Sequence, residues 1–539
     1  MLDIQELDDI IYQRLGRHDM AQCARVCKKW HFVAISYLWR DLTWLEDSYK
    51  QRLSFCKVVH DDYLREQRRR KMQDEEHAME QPIQDHPSPL SPLSKYGSQI
   101  QTLPGPLTLR HAFASHKPLL HLYSLCPSEV QVEVLRIRLR DMNFVAGNPW
   151  TSIMNFTLSR LRQLNINLSL GPLCPGISDL MSLLGQCSTI LESLKLNVEI
   201  YYDQIEYDDS MEEQIEDGAS RWTSLKELNL HECADKTDAK RFWSWLFRRC
   251  NSVERLTVNK CVGIFQSLEQ GMQTHMPNLQ ELNLGCQQGR AVGMTGDVTA
   301  ALLSSPRNGW KALRFGQETV FGKAAMDALA NFSSLEIFET DGCTTFSANS
   351  VLYVLRSCTN LHTVTITNPG SFHWNSWSRI NGKVFIDQDP DTGLLTPWKC
   401  ERSLKVLKVT INGIPRPDLD EYSAIAEAYP GQGREIEGLV YDRLARLTNL
   451  ETLWLGDSSY THQAQSLEMS LESGLGKLSE LRSLRELSTM GYKLRLHVKE
   501  AQWMAEHWPR LHRLRSYWYT KEVLEWIQEH HPEIELMKG

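Results

Sequence analysis

Leu279-Gln280-Glu281-Leu282-Asn283-Leu284 decides the fold, because the same phrase, apolar-x-x-apolar-x-apolar, recurs along the chain. Upstream it appears as Leu161-Arg162-Gln163-Leu164-Asn165-Ile166, Leu191-Glu192-Ser193-Leu194-Lys195-Leu196, Leu225-Lys226-Glu227-Leu228-Asn229-Leu230 and Val253-Glu254-Arg255-Leu256-Thr257-Val258. Downstream come Trp310, Leu313 and Phe315, then Leu335, Phe338 and Thr340, then Leu361-His362-Thr363-Val364-Thr365-Ile366, Leu404-Lys405-Val406-Leu407-Lys408-Val409 and Leu450-Glu451-Thr452-Leu453-Trp454-Leu455. From Leu161 to Leu361 there are seven steps over 200 residues, a mean near 29. Self-similarity at that period marks a repeat array. The alternating half of each phrase has the period of a strand whose apolar side chains point inward. The residues before it, such as Phe242-Trp243-Trp245-Leu246-Phe247 and Val351-Leu352-Val354-Leu355, have helical spacing. Each unit is thus a helix followed by a strand. It cannot bury its faces alone, so units must stack, with a parallel sheet lining one side and helices outside.

The period fails in two places. Leu361 to Leu404 is 43 residues and Leu404 to Leu450 is 46, which predicts insertions near 369–400 and 412–440. The first holds Phe372, Trp374, Trp377, Phe385 and Trp398, and its tryptophans are expected at the same end of the array as Trp454, over it or burying it. A third insertion, 203–217, carries eight acidic and no basic residues; it reads as a solvated loop or as an attractor for a basic partner.

Ahead of the array the chain changes character. Residues 49–128 combine a charged, helix-like stretch with a linker rich in Pro and Ser. Arg68-Arg69-Arg70-Lys71 reads either as an import signal or, beside Asp74-Glu75-Glu76, as part of a self-paired helix. Ser88-Pro89 and Ser91-Pro92 are weak matches to proline-directed phosphorylation sites. Residues 1–48 read as three short helices. Ile4, Leu7, Ile10, Ile11 and Leu15 recur at helical spacing before Gly16. Met20, Cys23, Ala24 and Cys27 line a second helix, and Trp30, Val33, Ala34, Tyr37 and Leu38 a third. So small a unit with so many large apolar side chains needs a partner surface to cover them.

In order and spacing, Ile4 to Leu7, Leu15, Asp19-Met20, Cys23 to Trp30 and Leu38-Trp39 resemble the F-box motif; the pattern departs at Gln5, where the family usually has Pro. The resemblance implies docking to a Skp-type adaptor, itself bound to a cullin scaffold, with Ile4, Leu7, Ile11, Leu15, Val26 and Trp30 forming or supporting the docking surface. The alternative is a helical cap that seals the end of the array. Residues 129–539 resemble the longer, cysteine-containing leucine-rich repeats found in F-box proteins. Together the two imply an α/β chain, a short three-helix F-box followed by a leucine-rich-repeat solenoid with a parallel concave sheet. The implied role is that of a substrate-recognition adaptor of a ubiquitin ligase. The rival reading is a repeat scaffold or inhibitor that acts without ubiquitin, and a hydrolase is a more distant one. An unknown target protein would then meet outward strand positions: Glu227, Asn229, His231, Arg255, Asn283, Arg314, Glu339, Lys408 and Trp454.

The remaining features narrow the function class. Hydrophobic residues make up 42% and charged residues 23%, ordinary for a globular protein, and the net charge of −8 gives no footprint for nucleic acid. No apolar run is long enough for a membrane span, and the acidic start does not read as a secretory leader. The 13 cysteines are dispersed, with no CxxC pair, so neither a disulfide framework nor a zinc site is expected. Cys187, Cys250 and Cys358 close apolar helical runs and read as reduced core residues of a cytosolic or nuclear protein. No GxGxxG between strand and helix, Walker A, HExxH or GxSxG occurs, so no cofactor, metal or catalytic residue is assigned. If residues 1–48 dock an adaptor, an isolated fragment 1–50 will be molten alone and gain dispersed amide resonances on co-expression with a Skp-type adaptor. A cooperatively folded monomer without adaptor affinity would contradict the docking reading.

Overall fold

A computed structural model describes residues 134–139 and 161–538 with breaks, the longest being 201–221, 368–379, 415–431 and 457–466. The three expected N-terminal helices and the linker lie outside the described residues. The chain divides into two compact units, Met1–Val253 and Glu254–Gly539.

In the first unit four strands form a parallel ladder in chain order: β1 (Val134–Leu139), β2 (Gln163–Leu170), β3 (Ser193–Ile200) and β4 (Glu227–Ala234). Leu164, Leu194 and Leu228 occupy one rung and are buried, as are Ile166, Leu196 and Leu230 on the next. Helices Ile177–Gln186 and Lys240–Arg248 supply the second layer. In the latter, Phe242, Trp243, Leu246 and Phe247 are fully buried, and Trp245 meets Trp222 edge-on at 6.3 Å.

The second unit repeats the scheme. Its strands are β5 (Arg255–Asn259), β6 (Glu281–Leu284), β7 (Ala312–Phe315), β8 (Ile337–Asp341) and β9 (Thr363–Thr367), then β11 (Val406–Lys408), β13 (Thr452–Trp454), β14 (Glu486–Ser488), β15 (Arg513–Ser516) and β16 (Glu535–Lys538). All pair in parallel with their neighbours in that order. Two further strands, β10 (Ile380–Asn381) and β12 (Ile411–Asn412), pair only with each other. Parallel strands need a crossover, and most crossovers here are made by a helix. Thr295, Ser347 and Thr520 cap three of these helices, their hydroxyls accepting from Val298, Ser350 and Val523 amides. Phe315, Phe321, Phe346 and Phe338 form an aromatic chain through the core, with successive centroids at 4.9, 4.9 and 5.1 Å.

One hydrogen-bond device recurs in both units, at the entries of β3 and β4 and at those of β6 to β9, β11 and β13 to β15. The carbonyl just before one strand accepts from two successive N–H groups of the next. Lys311 and Ala312 donate to Gln280 O at 2.8 and 3.2 Å, Glu336 and Ile337 to Lys311 O at 2.8 and 3.0 Å, and His362 and Thr363 to Glu336 O at 2.8 and 3.0 Å. The series continues through His362 O, Lys405 O, Glu451 O and Arg485 O. The backbone alone therefore specifies the register of these rungs.

The expected insertions prove partly structured. Of 369–400, residues 380–400 form β10, the helix Gly382–Ile386 and a turn that returns to Cys400. The short helix contacts both Ala348–Ser357 and Gln432–Ala445, so it fills the helix layer between them. Of 412–440, residues 432–440 begin a regular repeat helix, Gln432–Ala445. The second insertion therefore ends before Gln432, and Ile436, Leu439 and Val440 already carry the helical spacing of the repeat helix. Gly413, at φ 68°, backs onto the Asn381 side chain, where no Cβ fits.

Arg443, with no exposed side-chain surface, holds this region together. Its guanidinium donates to Ile386 O at 2.7 and 3.2 Å, to Asp387 O at 3.2 Å and to Glu401 Oε1 at 3.0 Å, and it lies 4.7 Å from the Trp398 ring centroid. Burial lowers its pKa to about 10, so it remains charged at neutral pH. Asp387, left-handed at φ 57°, pairs with Arg356 and accepts from Trp398 Nε1 at 3.1 Å. Arg443→Ala leaves these acceptors without their donor and is expected to cost about 3–5 kcal/mol in denaturant unfolding. Arg443→Lys should recover only part, since one ammonium cannot span the carbonyls and the carboxylate. Arg314→Ala, on the solvent side, should cost under about 1 kcal/mol.

Candidate functional site

Strand alternation fixes which side chains face away from the helix layer. In the second unit the inner positions are Leu256, Leu282, Leu313, Phe338, Val364, Leu407, Leu453, Leu487 and Leu514, all buried. The next residue on each strand faces outward. In register these outward positions are Thr257, Asn283, Arg314, Glu339, Thr365, Lys408, Trp454, Ser488 and Arg515. Adjacent members stand one strand spacing apart, about 4.8 Å.

The expected target-facing residues fall into separate groups. Glu227, Asn229 and His231 lie on β4 of the first unit; Glu227 accepts from Asn229 Nδ2 at 3.0 Å and from Ser193 Oγ at 3.4 Å. The others belong to the second unit. Arg255 is exposed on β5, in register with Glu281. Asn283, Arg314 and Glu339 share one rung on three successive strands, with Arg314 Nε 2.7 Å from Glu339 and its Nη1 3.8 Å from Glu281. Thr365 separates them from Lys408 and Trp454, which are direct neighbours. Lys408 Nζ stands 3.9 Å from the Trp454 ring centroid and Arg515 Cζ 4.9 Å.

Trp454 therefore is half-buried between cations. Trp398, expected near it, lies elsewhere. It is buried against Phe385 at 5.3 Å and beneath Arg443, because its indole N–H is the donor that Asp387 needs. Trp374 and Trp377 lie outside the described residues, as do Ile4, Leu7, Ile11, Leu15, Val26 and Trp30.

Two residues of this surface, Ser488 and Arg515, escape the sequence reading. The repeat phrase breaks after Leu455, since Leu484-x-x-Leu487 and Leu511-x-x-Leu514 end in Thr489 and Ser516 where an apolar residue is expected. Both polar residues are buried, and Thr489 Oγ1 donates to Arg515 O at 3.4 Å. The leucine spacing alone would have revealed β14 and β15.

Along the flank of the surface, charges alternate from strand to strand. Lys405 and Arg485 stand 3.8 and 3.6 Å from Glu451, and Arg513 stands 3.6 and 3.1 Å from Glu486 and Glu535. Such partly exposed pairs fix register more than they stabilise.

Little here resembles chemistry. Cys187, Cys233, Cys250, Cys261, Cys343, Cys358 and Cys400 are free and buried. Their thiols point at backbone carbonyls, such as Cys250 to Leu246 at 3.2 Å and Cys400 to Leu355 at 3.4 Å. Burial pushes Cys187, Cys358 and Cys400 up to about 12, which removes thiolate at neutral pH. Among the described residues no three His, Cys, Asp or Glu side chains converge as metal ligands.

Comparison with known proteins adds the N-terminal assignment. Residues 10–43 match the model of the F-box-like domain, a span that includes Ile11, Leu15, Val26 and Trp30 and begins after Ile4 and Leu7. No curated protein matches the chain. Among solved structures, the chain is similar to an internalin (inlF) from Listeria monocytogenes, at 14% identity and a TM-score of 0.35, over 82% of this chain and 88% of that one. The fold assignment rests on the strands and their register. The chain thus carries an F-box-like domain at residues 10–43, followed in sequence by an α/β array of the leucine-rich-repeat type.

Proposed function

We propose that this chain is a non-catalytic substrate adaptor of a cullin-type ubiquitin ligase. The observation that carries this reading is the pairing, in one chain, of an F-box-like segment at 10–43 with a repeat array whose outward strand face is polar and charged. The segment binds a Skp-type adaptor and, through it, a cullin scaffold. The array holds a target protein on its outward strand positions. Rate enhancement comes from holding the target beside a charged conjugating enzyme, an effect of effective concentration and orientation rather than of acid–base groups in this chain. The buried, protonated thiols suit the reducing cytosol or nucleus.

The test is co-purification of the full chain with a co-expressed Skp-type adaptor. The wild type retains the adaptor through size exclusion, whereas Trp30→Asp and Leu15→Asp lower recovery at least tenfold and leave the melting of the array unchanged. A wild-type chain that never retains the adaptor would instead support a repeat scaffold acting without ubiquitin.

A further inference from the structure

Lys408, Trp454, Ser488 and Arg515 differ from the rest of the outward face in one respect. Nearby cations are neutralised by carboxylates: Arg314 by Glu339, Lys405 and Arg485 by Glu451, Arg513 by Glu486 and Glu535. Lys408 and Arg515 have no carboxylate partner among the described residues; each is placed against the Trp454 ring instead. The register explains how. Lys408, Trp454, Ser488 and Arg515 stand on four successive strands, β11, β13, β14 and β15. Arg515 reaches an indole two strands away because Ser488 between them is small and fully buried. Contact with a ring face holds a cation without using its N–H donors. The site also contains two buried polar atoms without a hydrogen-bond partner among the described residues, Trp454 Nε1 and Ser488 Oγ.

We propose that these residues dock an extended acidic segment of the target protein, with carboxylates bound by Lys408 and Arg515 on an indole platform. This rests on the reading of the outward strand face as the target surface. Two uncompensated positive charges stand together on a chain of net charge −8, so the complement is local and negative. In an extended segment alternate side chains point the same way, about 7 Å apart. That spacing suits two cations held around one indole better than a single compact anion does.

The test uses the full chain and a fluorescein-labelled peptide of alternating Glu and Ala, read by anisotropy. Its controls are the Gln–Ala and phosphoserine–Ala counterparts. The Glu peptide binds the wild type and weakens as salt rises, and the Gln peptide does not bind. The double variant Lys408→Gln/Arg515→Gln loses at least tenfold in affinity with its melting temperature unchanged, whereas Arg314→Gln binds as the wild type does. Equal binding of the Glu and Gln peptides, no binding, an undiminished double variant, or a tenfold preference for phosphoserine would each overturn the proposal. A further variant, Thr363→Arg, puts a large side chain on the outward face, next to the inner Val364 by strand alternation, and replaces neither cation. If it depletes the partners captured by the full chain while the peptide test fails, the face reading stands and the acidic-segment inference falls. If it leaves those partners unchanged, the face reading itself falls.

Discussion

Everything in this array depends on one carbonyl per repeat. In strand after strand the preceding residue offers its oxygen to two successive N–H groups of the following strand, as Gln280 does to Lys311 and Ala312. A backbone oxygen with two lone pairs is saturated by that arrangement, and the next strand has only one register left. A one-residue slip would turn every Leu of the inner row to solvent and every charge of the outer row inward. The helices follow from this. Once the strands are fixed at their spacing, the segment between consecutive strands has to cover the inner row, and the apolar faces of the helices do so.

The break in periodicity shows what replaces leucine when a repeat is reshaped. Between β9 and β11 the connecting segment carries its own short strand, β10, and a helix of five residues. So short a helix leaves several carbonyls unpaired. Arg443 satisfies those of Ile386 and Asp387, and its planar fork reaches Glu401 at the same time. A Leu in its place would fill the volume and leave the turn unsatisfied. The cost of burying a cation is offset by acceptors that would otherwise be costly themselves.

Much of this was legible in the sequence, for reasons that also define where legibility ended. The inner row was readable because alternation forces Leu, Val, Ile or Phe at fixed spacing, and Leu282, Val364 and Leu453 lie where the phrase puts them. Strands β14 and β15 were lost because the last position of the phrase is polar there, Thr489 and Ser516, both buried, with the Thr489 hydroxyl bonded to Arg515 O on the next strand. The outward residues were identifiable one strand at a time. Their grouping was not, since which cation finds a carboxylate depends on register across strands far apart in sequence. Trp454 was readable as an outward aromatic, but its companion Arg515 was not. Trp398 was misplaced because an insertion's fold cannot be read from its aromatic content; a buried carboxylate, Asp387, decided its position.

The alternating charges along the flank bear on how such an array can lengthen. Lys405, Glu451 and Arg485 stand just before consecutive strands, each opposite in sign to its neighbour. Copying one unit, from Lys405 to Leu450, would set Lys405 beside its own duplicate with no carboxylate between them. Copying two units would restore the alternation from end to end. The ladder thus acts as a parity check on genetic duplication: even numbers of units keep the sequence of signs, and odd numbers leave one like-charged step that later substitutions must correct.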